Sequence, residues 1–192
     1  ADCSNIEGIF RLVQSIPSKK AEPFKKWLAK TGFERIKEEE NPSLAIKRAI
    51  ISYHLKGRSG EWIKARIQSL FTRDKLTSEW KKRGVQKGLE YGILTNEISK
   101  GTFGITTKEH KEIKSLKNNH SLRDNMTPIE LILNMLGEAS TVDIAKAIDA
   151  KGFNGNKQAA KDGGEIAGIA RERYELKTSK KVVTSENFIK NT

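Results

Sequence analysis

Between residues 56 and 87 the chain sets ten basic groups against three acidic ones. Lys64, Arg66, Arg73, Lys75, Lys81, Lys82, Arg83 and Lys87 flank an apolar stripe there, and Trp62, Phe71 and Trp80 fall among them. Cations that neutralise phosphates release condensed counterions, which gives a basic surface a salt-sensitive, sequence-independent attraction to nucleic acid. Aromatic rings interleaved with cations are also the composition of a single-strand-binding groove, where bases stack while charges follow the backbone. The same spacing places all three rings on a buried helical stripe, so the cations are the firmer candidates. Lys25 and Lys26 form a secondary set, diluted by Glu22 and the Glu38-Glu39-Glu40 run. Arg171 and Arg173 form another near a helix C-terminus, where cations suit the dipole and can also meet phosphate.

Other chemistries find less to stand on. Gly163-Gly164-Glu165-Ile166-Ala167-Gly168 lacks both the strand-borne GxGxxG order and a P-loop lysine. Small residues there, Gly164 and Gly168 among them, fit a close helix approach that seats a neighbouring helix or a second subunit. The run around Gly137, with Ser140 and Asp143 opening a second helix, has a helix-turn-helix outline. That second helix offers mainly Lys146 as a donor beside two acids, which suits helix packing better than base readout. Glu109-His110-Lys111 and Glu112-Ile113-Lys114 match a short nuclease ExK pattern but fall in a predicted helix with no strand to present them. His54, His110 and His120 show no metal-ligand spacing. Cys3 has no local base and is expected to be inert.

Stepping the elements through the chain gives helix punctuation and almost no alternating strand pattern. A capping box at Ser4 and Glu7 opens a helix that Pro17 stops. The next begins near Ala21 and is expected to end at Gly32, and another runs from Asn41-Pro42 to Gly57. Ser59 caps a segment that Thr77 is expected to restart. The pattern Leu89, Ile93, Leu94, Ile98 follows, broken by Gly101 and Gly104, and Thr107 starts a short polar helix. Thr127-Pro128-Ile129-Glu130 is a strong start, combining a cap, a first-turn proline and a reciprocal glutamate. Gly137 is expected to end that helix, and a final one spans 157–176. The tail, 177–192, reads as a docked or frayed end with a β-like patch at Val182-Val183.

The formal net charge is +12 over 192 residues, and residues 56–87 supply +7 of it. General solubility does not call for that concentration. One cysteine makes an intramolecular disulfide impossible, and no apolar stretch reaches the roughly 18 residues of a membrane span. A reducing, cytoplasmic and nucleoid-associated location is the expectation.

Two resemblances join this reading. The run Ser15-Ile16-Pro17-Ser18-Lys19-Lys20-Ala21-Glu22-Pro23-Phe24-Lys25-Lys26-Trp27-Leu28-Ala29 resembles the end of a Bro-type N-terminal domain, a module associated with DNA binding in phage and viral regulators. From Trp80 through Val183 the chain is similar to the C-terminal part of the DNA-damage-inducible protein D family. The features that carry this are Thr102-Phe103-Gly104, Leu116-Lys117, Leu122-Arg123-Asp124, Met126-Thr127, Glu130-Leu131 and the Gly152 to Gly164 region. The strand-rich start of the Bro module would precede Ala1, so the chain is expected to begin inside that module. The resemblance implies the bacterial SOS response and modulation of recombinase filaments on single-stranded DNA. It transfers no catalytic residue.

The expectation is therefore an all-α multi-helix bundle, as one body or two small helical subdomains, 1–117 and 127–192, with the boundary at 118–127. The expected function is non-enzymatic and needs no cofactor or metal. The chain would bind single-stranded or duplex DNA, a DNA-bound recombinase, or both, with no membrane partner and with homo-oligomerisation through Gly164 and Gly168 as an option. The alternative is a phage-type antirepressor that binds a repressor protein. A nuclease using Glu112 and Lys114 is a third class.

Overall fold

The computed structural model describes residues 5–189, and within them the chain is all α-helical, with no strand. Eight α-helices follow in order: α1 (Ile6–Ser15), α2 (Glu22–Glu40), α3 (Ser43–Leu55), α4 (Gly60–Lys82), α5 (Leu89–Phe103), α6 (Thr107–Ile113), α7 (Pro128–Ala147) and α8 (Gly152–Thr178). A single 3-10 turn, Arg123–Asn125, precedes α7. The first cap belongs to Asn5, whose side chain accepts from the Gly8 N–H at 2.8 Å. Ser4, the expected cap, lies outside the described residues.

The chain divides at Gly57/Arg58 into two compact units. The expected boundary at 118–127 falls inside the second of them, because that loop is tied to α4. Trp62 donates its indole N–H to the Met126 carbonyl at 2.8 Å, Arg58 donates to the Asp124 carbonyl at 2.8 Å, and Arg66 pairs with the Asp124 carboxylate.

In the first unit α1 meets α2 through an aromatic trio. Phe10 lies edge-on to Phe24 at 5.3 Å between centroids, and Phe24 stacks on Trp27 at 5.6 Å. α2 does not stop at Gly32 but continues to Glu40. A helical glycine costs about 1 kcal/mol, which the following turns offset. They include Glu38, a buried carboxylate held by Arg48 of α3 and Arg35. Neither α1 nor α3 buries a residue fully.

The second unit has a continuous core of Leu76, Trp80, Val85, Leu94, Ile98, Val142 and Ala160, with Tyr91 and Phe153 packed on it. Here α5, α7 and α8 approach until backbones touch. A Cβ on Gly164 would lie 2.8 Å from the Ile98 carbonyl oxygen, and one on Gly168 would strike the Gly101 carbonyl. The small-residue face of α8 is therefore consumed by α5 and α7 of the same chain and is not available to a second subunit through Gly164 and Gly168. Gly137 is used in the same way. It sits in the middle of an unbroken α7, where a Cβ would lie 2.8 Å from Thr102 Oγ1. That removes the helix-turn-helix outline, since the break it needs is absent. Thr77 likewise restarts nothing: its hydroxyl donates back to the Arg73 and Asp74 carbonyls, and α4 runs through.

After α8 the tail folds back on its own unit. Val182 is buried, its N–H donating to Glu175 at 2.8 Å, and Phe188 packs edge-on to Trp62 with the Arg58 guanidinium 3.7 Å from its ring centroid.

Candidate nucleic-acid interface

A helix advances 100° and 1.5 Å per residue, so residues at spacings of 4, 7, 11 and 18 share a face. On α4 one such row is Trp62, Arg66, Ser69, Arg73, Leu76 and Trp80, which begins the core side. The opposite row is Lys64, Phe71, Lys75 and Lys82, with Gln68 and Ser78 along its margins, and every one of these is exposed. Lys64 to Lys82 covers about 27 Å along the axis. Ion pairs in this segment are made by its arginines. Lys64, Lys75, Lys81, Lys82 and Lys87 are exposed and enter none among the described residues.

The three arginines of the candidate set belong to the fold. Arg66 is 8% exposed, with Nε 2.6 Å from Asp124 Oδ1 and Nη1 donating to Ser69 Oγ at 3.0 Å. Arg73 reaches from α4 to Glu138 of α7 at 3.3 Å and to Thr95 of α5 at 2.8 Å. Burial, and then the neighbouring Arg123, push its pKa below the ordinary arginine value. Arg83 ends α4 by bonding Glu79 at 2.8 Å, Asp149 at 3.2 Å and the Ala150 carbonyl at 2.9 Å. Of the aromatic rings, Trp62 and Trp80 are buried, while Phe71 is 61% exposed.

The secondary candidates divide in the same manner. Arg171 locks α8 to the end of α5 through the Thr102 carbonyl at 2.8 Å, and Arg173 is exposed. Lys25 is half-buried beside Glu22, and Lys26 is exposed.

The ExK residues do not converge on a common point. Glu109 closes the Thr106 capping box, where the Thr106 backbone and hydroxyl hold its carboxyl below the usual range. Glu112 lies at the surface beside Lys108. Lys114 is fully buried and pairs with Glu130 at 2.9 Å, while donating to the Thr184 and Glu186 carbonyls of the tail. Glu130 also meets His110 Nε2 at 3.0 Å and accepts from the Thr127 N–H at 2.6 Å. Burial alone would raise this carboxyl, but His110, the Thr127 amide and Lys114 outweigh it and hold the pKa low. The reciprocal cap at Thr127 was visible in the sequence. The second use of Glu130, as anchor for α6 and the tail, has no local signal, because its partners lie 16 to 20 residues upstream. No cluster of three or more His, Cys, Asp or Glu suited to a metal ion occurs among the described residues.

Residues 63–185 match the family model of the DinD C-terminal domain. No curated protein matches the chain. The matched region takes in α4 almost from its start and ends in the docked tail, so the lysine face, the small-residue packing and the Glu130 network up to its contact with Thr184 lie within it. The Bro-like run at 15–29 lies outside it.

Proposed function

The chain belongs to the DinD C-terminal domain family, and from that premise we propose a non-enzymatic regulator of the DNA-damage response that binds nucleic acid through the outward face of α4. The observation that carries this reading is the row of exposed lysines, Lys64, Lys75 and Lys82, unpaired among the described residues, with exposed Phe71 between them. Lys81 and Lys87 extend the positive charge at its C-terminal end. The row is long enough to follow about eight nucleotides of a duplex strand at 3.4 Å each.

Its chemistry favours phosphate over base edges. Lysines are point charges, and no outward guanidinium fork stands on this row to read guanine. Such contacts position a protein on nucleic acid without specifying sequence. Phe71 adds a sequence-tolerant stacking platform for an unpaired base, which inclines the face toward single strands. Bound there, the protein would act on a DNA-bound recombinase by occupying the strand, by touching the recombinase, or both.

A second reading, the antirepressor that binds a protein partner, draws on the first unit. Ile6, Leu12, Trp27, Phe33, Ile36 and Leu55 are each more than half exposed there. Large exposed apolar patches mark protein–protein interaction sites among other docking surfaces. Under either reading the membrane is not the partner expected, and no helix among the described residues is long and apolar enough to cross one.

Fluorescence anisotropy with a labelled single strand and its matched duplex, across a salt series, tests the leading proposal. Binding that weakens steeply with salt, and is tighter for the single strand, supports it. Absence of binding to either at low salt contradicts it and favours the protein-binding reading.

A further inference from the structure

A cavity of about 290 Å³ lies inside the second unit, away from the lysine row, walled by α5, α6, the 121–126 loop and α7. Its lining includes Ser99, Thr107, Lys111, Arg123 and Asn134. The volume sits near the lower end of the range for small-molecule sites.

The polar groups around it are sorted by what they still lack. On the α7 and loop side, Asn134 is 94% buried and its Nδ2 has no hydrogen-bond partner among the described residues, and the buried Nε of Arg123 has none either. Lys111, at the α6 wall, spends one proton on the Asn118 carbonyl at 2.9 Å and keeps two. On the α5 and α6 side the opposite holds. Ser99 has donated its proton to the Ile105 carbonyl and Thr107 its proton to Asn96, so both hydroxyls present only lone pairs. A buried donor without an acceptor costs free energy, so the wall of this cavity holds donors that gain from an acceptor placed against it.

Charge narrows the acceptor. Arg73 and Arg123 both bond the same oxygen of Glu138, at 3.3 and 2.6 Å, so two guanidiniums share one carboxylate. Adding Lys111 leaves the surroundings with two positive charges in excess. The occupant should therefore be anionic toward Arg123, Lys111 and Asn134, and should carry hydroxyl donors toward Ser99 and Thr107.

We propose that this cavity binds a hydroxyl-bearing phosphate monoester of sugar-phosphate size. Arg123, Lys111 and Asn134 take the phosphate, and Ser99 and Thr107 accept from sugar hydroxyls. Such a group is supplied either by a free sugar phosphate or by the 5′-phosphate end of a nucleic-acid strand. The site does not depend on the α4 interface and stands or falls separately from it.

Titration calorimetry of the whole chain with ribose 5-phosphate, ribose and inorganic phosphate is the test, repeated with Asn134→Asp and Lys111→Ala. Ribose 5-phosphate should bind saturably and more tightly than either fragment. Asn134→Asp should weaken it by about tenfold or more, by setting a carboxylate against the phosphate. Lys111→Ala, at a half-exposed position that leaves the Glu138 pairs intact, should weaken it about threefold. It keeps the proposal open to refutation if the Asp variant does not fold. Displacement by a 5′-phosphorylated oligonucleotide, and not by its 5′-hydroxyl counterpart, identifies a strand end as the occupant; displacement by neither identifies a free sugar phosphate. No binding of ribose 5-phosphate at millimolar concentration, or binding that Lys111→Ala leaves unchanged, overturns the assignment.

Discussion

Along α4 the guanidinium groups of Arg66 and Arg73 turn into the fold and end on Asp124 and Glu138, while the ammonium groups of Lys64, Lys75 and Lys82 on the other side meet no carboxylate among the described residues. One helix thus carries two populations of positive charge with different work. The inner cations have been desolvated and matched to partners on α7 and the preceding loop, and their role is to fix α4 in place. The outer ones remain hydrated and form no ion pair among the described residues, which leaves them free to attract a polyanion. Net charge alone cannot tell these populations apart, and half-buried arginines inflate any estimate of a binding surface made from composition.

The two faces should separate cleanly in experiment. The largest effect is expected inside. Glu138→Ala leaves the partly buried Arg73 and Arg123 side by side without their shared, fully buried carboxylate, and should cost about 3 kcal/mol in urea unfolding. A loss below 1 kcal/mol would mean that the arginines escape to solvent and that the inner face is not a fixed structure.

The buried network on α7 gives the inner region a pH signature. Glu130 has a folded-state pKa below its ordinary value of 4.5, so the stability it contributes is complete above that value. It is lost as the pH falls through the lower folded-state pKa. The gap in unfolding midpoint between the wild type and Glu130→Gln should stay constant from pH 7 to about pH 5 and narrow below that. A gap that persists unchanged to pH 2.5 would show that the carboxylate charge is not what stabilises the site.

Arg66→Ala should follow with a loss of about 1–3 kcal/mol, since its partner Asp124 is only partly buried and recovers water. Smaller still in stability terms is Phe71→Ala, which should leave the unfolding midpoint unchanged. Single-strand affinity should nevertheless fall by at least fivefold, the loss of about 1 kcal/mol or more expected for one stacked base. An equal loss for duplex would remove the stacking role.

Much of this arrangement is legible in the residues. Ser59 and Thr127 cap helices where their side chains can reach the first free amides, and Pro128 with Glu130 makes the start of α7 unambiguous. Gly32 misleads because α2 runs through it with nothing within 4 Å of where a Cβ would sit, and Gly137 misleads because a glycine has two uses. It ends a helix where a positive φ is wanted, as Gly104 does at φ 76°, and it sits mid-helix where a neighbouring helix packs close, as Gly137 does against the Thr102 side chain. Only the tertiary neighbour distinguishes them. The division of the arginines from the lysines was within reach: Arg66 and Arg73 fall in step with Trp62, Leu76 and Trp80, and Lys64, Lys75 and Lys82 fall opposite. Counting charges by segment hides that phase. The Glu130 network and the cavity beside Asn134 have no such local trace, since they join residues from α5, α6, α7 and the tail that are brought together only by folding.

On the proposed reading the outer lysines, and not the inner arginines, bind nucleic acid. Salt-dependent binding to one labelled oligonucleotide should be compared for the wild type, a Lys64, Lys75, Lys82 triple alanine variant and Arg66→Ala, with each fold checked by circular dichroism. The triple variant should keep its fold and reduce the log–log salt slope by about 2–3. Arg66→Ala should leave the slope unchanged. A triple variant with the wild-type slope and affinity would contradict that reading.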